Sequence, residues 1–253
     1  MIRIAAVGDI HMGPESQGVL RPAFETLPEC ADVLLLAGDL TRHGTPEEAR
    51  VVAREIKDLG VPVVAVLGNH DHHDERPEEV TAILEDGGAR VLEGQETVVE
   101  CAAGRVGVAG TKGFCGGFAG RNAGEFGEPL MKEFVRTTRR HADSLRTALE
   151  RLDEQDCAVR VALTHFSPVP DTLAGEPLEI YPFLGSYLLA EAIDGAGADL
   201  AVHGHAHAGT EHGMTSGGVR VRNVAQPVIG RAFHVYHLQV PERVSAPVGG
   251  QAH

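Results

Sequence analysis

The sequence predicts a layered α/β fold, and three observations carry that prediction. Short unbroken apolar runs rich in Val, Ile and Leu recur along the chain, at Ile2 to Val7, Val33 to Ala37, Val61 to Leu67, Val159 to Leu163 and Leu200 to Val202. Runs of this length without polar alternation read as strands covered on both faces. Helical stretches lie between them. Each run ends in a polar loop carrying Asp, Asn or His, and in layered α/β sheets ligands collect at the carboxyl ends of the strands. The chain has 253 residues, 43% of them hydrophobic, enough for a sizeable core.

The first run ends at Gly8-Asp9-Ile10-His11 and the second at Gly38-Asp39. Thr45-Pro46-Glu47-Glu48 then reads as a capping box with proline at the first helical position. That helix is expected to run to about Leu59 and to close at Gly60. The third run ends at Gly68-Asn69-His70-Asp71. Between 89 and 111, and again between 214 and 240, β-branched residues alternate with polar ones or Gly, the pattern of hairpins or meanders. Residues 110–129 form a long Gly-rich loop holding Phe114, Phe118 and Phe126, without the Gly-Lys-Ser/Thr ending of a P-loop.

Leu130, Phe134, His141, Leu145, Leu149 and Leu152 fall at helical spacing, which predicts one long amphipathic helix over 130–155 with its stripe in the core. The fourth run ends at Thr164-His165, and a Pro-rich second loop follows over 168–185. A shorter helix is expected over 186–193. The fifth run leads into His203-Gly204-His205-Ala206-His207. One domain over 1–240 is expected, followed by a flexible tail over 241–253.

Bulk chemistry narrows the function classes. The formal charge of -14 disfavours a partner held through many phosphates, so a small substrate is favoured over a long nucleic acid. No apolar run reaches the ~20 residues of a membrane-spanning helix. The N-terminus lacks the pattern of a signal peptide, so a cytoplasmic protein is expected. Cys30, Cys101, Cys115 and Cys157 stand far apart and read as reduced, packed thiols. Nothing in the sequence specifies an oligomeric state.

The strand ends together bring Asp9, His11, Asp39, Asn69, His70, His165, His205 and His207 to one edge. Carboxylate, amide oxygen and imidazole suit iron, manganese or zinc. There are donors enough for two ions, which about 3.5–4 Å apart share a bridging carboxylate and activate water. Asp39, on the second and central strand end, is the expected bridge. Any one of the 14 histidines taken singly is more often structural than a ligand. The ordered set is what raises these. His203 lies outside the pattern and reads as a packed strand residue. His72 and His73 read as exposed turn residues, with substrate binding as the lesser alternative; Lys112 and Arg121 read as solvated loop charges that could instead meet phosphate, and Phe114 and Phe118 as pins for their loop that could instead stack on a base or aromatic leaving group.

The blocks Asp9-Ile10-His11, Gly38-Asp39, Gly68-Asn69-His70-Asp71, His165 and Gly204-His205-Ala206-His207 resemble, complete and in order, those of the calcineurin-like metallophosphoesterase family, single-domain bacterial members most closely. The resemblance implies a four-layer α/β/β/α sandwich of two mixed sheets flanked by helices. It implies that Asp9, His11 and His207 bind one metal, Asn69, His165 and His205 the other, and that Asp39 bridges. It implies that His70 meets the substrate phosphate or protonates the leaving oxygen, with Asp71 orienting it. The implied activity is hydrolysis of small phosphodiesters, cyclic nucleotides among them, by a hydroxide bridging two ions, iron and manganese in the first place and zinc as a substitute. A phosphomonoesterase is the alternative, ahead of a nuclease or a non-catalytic scaffold of the same fold.

Overall fold

The computed structural model describes residues 1–240, and the tail expected over 241–253 lies outside the described residues. The first sheet takes the order β13-β1-β2-β3-β4, built from β1 (Ile2–Val7), β2 (Val33–Ala37), β3 (Val63–Val66), β4 (Ala89–Val91) and β13 (His234–Leu238). Only β13 runs antiparallel within it. The second sheet takes the order β11-β12-β10-β9-β6-β5, from β5 (Gln95–Cys101), β6 (Gly104–Thr111), β9 (Val159–Thr164), β10 (Leu200–His203), β11 (His212–Met214) and β12 (Arg220–Asn223). Its four central strands are parallel and the edge strands β5 and β11 antiparallel. A short hairpin, β7 (Gly117–Phe118) with β8 (Arg121–Asn122), stands apart within the Gly-rich loop.

Helices cover the outer faces. On the first sheet, α1 (Arg21–Phe24) and α2 (Leu27–Cys30) are single turns, and α3 (Pro46–Ile56) and α4 (Pro77–Asp86) bury Ala49, Val52, Ile56, Val80 and Leu84 in one continuous core with β1, β2 and β3. That core extends between the sheets, where Val106, Val108, Val161 and Leu163 meet it. On the second sheet, α5 (Pro129–Asp153) and α7 (Tyr187–Ala196) pack over a separate core of Ala109, Ala162, Leu145, Leu149, Leu189 and Ile193. The arrangement is the expected α/β/β/α sandwich. Single turns α6 (Tyr181–Leu184) and α8 (Gln226–Ile229) complete the chain.

The capping box forms as expected, with the Thr45 side chain accepting from the Glu48 amide. The helix stops at Ile56 rather than Leu59, because Asp58 turns left-handed (φ 53°) before Gly60 does (φ 76°). In α5 the stripe is buried from Val135 to Leu152, but Leu130 is 81% exposed. The first turn of α5 overhangs the sheet, so helical spacing alone placed one leucine too many in the core. Of the two expected hairpin regions, 89–111 holds the pair β5 with β6 as predicted, whereas in 214–240 strand β12 pairs with β11, which begins before that region. Strands β4 and β13 instead cross to the first sheet and become its edges. Alternation signals a strand but not which sheet receives it. Helix α4 had no counterpart in the sequence reading. Among the described residues no helix is long and apolar enough to cross a membrane.

Candidate metal centre

The carboxyl ends of β1, β2 and β3 face those of β10, β9 and β6 across the sandwich, and the polar loops follow directly from them. The loops after β1 and β2 continue to pair: the Asp9 amide donates to Gly38 O at 2.9 Å and the His11 amide to Asp39 O at 3.1 Å. From the other sheet, the His205 amide donates to Asp9 Oδ2 at 2.9 Å. Asp9 (φ 56°), His11 (41°), Asp39 (50°) and His205 (70°) are all left-handed, four of the seven such non-glycine residues among those described. Asp and His tolerate this conformation better than most residues. It still costs about 1–3 kcal/mol each, and it persists where the surroundings over-determine it. Glycine precedes Asn69 and His205 where chains come closest: a methyl group at Gly68 would collide with Asp39 Oδ1, and one at Gly204 with Asp9 Oδ2.

Two donor groups result. Atoms of Asp9, His11, Asp39 and His207 lie within 4.8 Å of one another, and so do atoms of Asp39, His165 and His205. Asp39 belongs to both. In the first group His11 Nε2 stands 3.4 Å from His207 Nε2 and 3.9 Å from Asp39 Oδ2, while His207 Nε2 is 2.9 Å from Asp9 Oδ1. In the second, His165 Nε2 lies 3.0 Å from Asn69 Oδ1 and 3.3 Å from Asp39 Oδ1. Donors held about 2.1 Å from one ion at tetrahedral or octahedral angles stand about 3.0–3.4 Å apart. The separations of 2.9–3.4 Å match, and His11 to Asp39 at 3.9 Å is somewhat longer, so the residues fit two ions sharing Asp39. The His165 ring is fixed from behind by Ala37 O, 2.9 Å from Nδ1, which leaves Nε2 facing the donor cluster. His205 turns Nε2 to Phe183 O at 3.3 Å, so its Nδ1 is the nitrogen free for an ion.

His70 sits at the rim with a 44% exposed side chain, its Nε2 3.9 Å from Asp39 Oδ2. Its Nδ1 is 2.8 Å from Arg42 O, and its backbone amide donates to Asp39 Oδ1 at 2.8 Å. Asp71 corrects an expectation. Its carboxylate is fully buried and accepts from the amides of Leu40 (3.2 Å), Thr41 (2.8 Å) and Gly68 (2.8 Å) and from Thr41 Oγ1 (2.6 Å). It therefore ties the loops after β2 and β3 together, and the carbonyl of Arg42 orients the His70 ring instead. A backbone carbonyl carries no side-chain signature, so neither Arg42 nor Phe183 was identifiable from the sequence as a partner of the site.

Electrostatics separate the imidazoles. Burial disfavours a charge on His165, but the Asp39 carboxylate beside it dominates and pushes it up to about 9. Burial likewise works against ionised Asp39, yet the neighbouring His165 charge and hydrogen bond hold it well below the usual carboxylate range. The hydrogen bond to Asp9 raises His207. Burial lowers His11, and burial with the His165 charge lowers His205 to about 3. Without metal, protonated His165 contributes stability below pH 6.5, and that contribution is lost as pH rises through about 9. An ion must displace that proton. Metal affinity is therefore expected to rise about ten-fold from pH 7 to pH 8, with proton release on uptake visible by calorimetry in buffers of different ionisation enthalpy. A pH-independent affinity would contradict this.

The residues outside the pattern divide. His203 is fully buried, bonded to Gly204 O and Thr172 Oγ1, as a packed strand residue should be. Phe114 packs against Phe134 and Phe166, and Phe118 is buried, so both pin the loop. His73 is exposed, but His72 is half-buried with Nε2 enclosed and unpartnered, against expectation.

Residues 2–209 match the family model of the calcineurin-like phosphoesterases. The chain belongs to that family. Family members work with two metal ions, and this chain has two Asp/His groups suited to hold them. A stretch of 92 residues is 33% identical to a probable cyclic nucleotide phosphodiesterase of Synechococcus, covering 32% of this chain and 34% of that one. Another of 75 residues is 41% identical to a symmetrical bis(5'-nucleosyl)-tetraphosphatase of Thioalkalivibrio sulfidiphilus, covering 28% and 25%. The matches thus span about a third and a quarter of those relatives. In structure, the phosphopantetheinyl hydrolase of Mycobacterium tuberculosis superposes with a TM-score of 0.66 at 17% identity over 96% of this chain and 98% of that one, a likeness of fold.

Proposed function

We propose that this protein hydrolyses small phosphodiesters, cyclic nucleotides among them, at a dinuclear centre of the family type. Asp9, His11 and His207 hold one ion, Asn69, His165 and His205 the other, and Asp39 bridges. The observation that carries this is the single Asp39 carboxylate shared by both donor groups. Carboxylate and imidazole donors suit iron with manganese, zinc being the substitute. When bound, two such ions neutralise phosphoryl charge and activate a water for attack.

The chain's own residues do the rest. The backbone amide of His70 holds the bridging carboxylate in place. With Nδ1 occupied by Arg42 O, His70 presents Nε2 to the open side and delivers a proton from it to the leaving oxygen. Phe166, packed 4.4 Å ring to ring against His205, closes one wall to water. The net charge of -14 supports a small substrate over a long nucleic acid.

Initial rates on bis(4-nitrophenyl) phosphate and 4-nitrophenyl phosphate, with metal-loaded and chelator-treated protein, test the reading. Chelator-sensitive turnover favouring the diester is expected. Preference for the monoester would reassign the protein as a phosphatase. Two bound ions with no turnover of either substrate would make it a scaffold.

A further inference from the structure

Three strand pairs face each other at the metal edge. The ends of β1 and β10 bring Asp9 and His205, those of β2 and β9 bring Asp39 and His165, and β3 brings Asn69 and His70. The partner of β3 is β6, and the residue after it is Lys112. Lys112 directly follows the last strand residue, Thr111, and Phe166, one of the two rings under its amine, belongs to the outer core of the second sheet. The Lys112 carbonyl accepts the amides of both His165 and Phe166 at 3.0 Å, which ties its backbone to a ligand-bearing strand end.

The amine is half-buried and holds no ion pair among the described residues. Glu93, the carboxylate it feels most strongly, is bonded to Thr111 Oγ1 at 3.1 Å and faces His141 Nδ1 at 3.2 Å. Lys112 Nζ instead lies over the rings of Phe114 (5.6 Å) and Phe166 (6.0 Å), and the Phe166 ring packs on His205. On the adjoining side the enclosed Nε2 of His72 makes no bond that would satisfy it. An ammonium group parked on aromatic faces, without a carboxylate, beside a centre that handles anions is a cation kept for an incoming anion.

We propose that Lys112 binds the phosphoryl oxygens of the substrate on the Asn69–His70 side of the centre. The assignment rests on the phosphoesterase reading above and adds a substrate-binding residue to it. A point charge attracts the diester monoanion and, more strongly, a monoester dianion, so loss of Lys112 falls harder on monoester binding without setting which ester the centre turns over faster.

The test uses metal-loaded full-length protein, with inorganic phosphate as the binding probe followed by calorimetry, and KM and kcat for the two nitrophenyl esters. Lys112→Ala is expected to keep both ions, to weaken phosphate binding and raise KM by about ten-fold, more for the monoester, and to change kcat little. Lys112→Arg is expected to recover most of the loss. Lys112→Met keeps the apolar stem on Phe114 and Phe166 and decides the matter should the alanine variant fold poorly. Phosphate affinity and KM within two-fold of wild type in either variant would overturn the assignment, as would loss of the ions from Lys112→Met. Those results leave wild-type turnover standing. A wild type that binds no metal and turns over nothing would instead refute the reading beneath.

Discussion

Asp39→Ala is expected to strip both ions and to reduce turnover by at least about 10³-fold. Each donor group loses a ligand at once, because the same carboxylate serves both. The Asp39 side chain is 1% exposed and accepts from the His70 amide at 2.8 Å, so its position between the two groups is fixed by the fold. The change also removes the charge and hydrogen bond that raise His165 most, leaving burial, which lowers it, opposed only by Asp9 and the Ala37 carbonyl, so the imidazole is expected to give up its proton more readily. Asp39→Asn keeps the shape and removes the charge, which separates packing from ligation. Metal content per chain by plasma emission spectroscopy, beside the rate, is the measurement. Two retained ions would mean that the bridge lies elsewhere.

His70→Ala is expected to behave in the opposite way toward metal. Its ring makes no contact that a bound ion depends on, since Nδ1 is bonded to Arg42 O and Nε2 faces the open side of the site. Both ions should stay, while kcat falls about 10²–10⁴-fold for substrates with poor leaving groups. For nitrophenyl esters, whose leaving group departs without a proton, the loss should be much smaller. That dependence on the leaving group identifies a proton donor, which a merely structural histidine would not show. Wild-type turnover of an alkyl ester by the variant would sink the assignment.

Much of this was legible in the sequence for a physical reason. Parallel strands buried on both faces must be continuous apolar runs, so β1, β2, β3, β9 and β10 announced themselves. A chain that ends five such runs in metal-type side chains has little option but to gather them along one edge. Edge strands are different. Strands β4 and β13 are short and half-exposed, and their local pattern is the same whichever sheet they join. Helix α4 carries only Val80 and Leu84 as fully buried residues, too weak a stripe to stand out.

The sequence by itself determined the layered fold class and the candidate donor residues and their order, since these depend on residue chemistry and strand periodicity, which are local. Tertiary structure alone decided which atom faces which. The family resemblance placed Asp71 beside the His70 ring, but the turn at His70–His72 sends its carboxylate inward to the amides of Leu40, Thr41 and Gly68. Lys112, by sequence a loop charge with phosphate as its alternative partner, follows a strand that packs opposite β3, and its amine lies over the Phe166 ring that packs on His205. Both outcomes turn on pairings between segments far apart in the chain, whose geometry is set by the packing of two sheets rather than by any neighbouring residue.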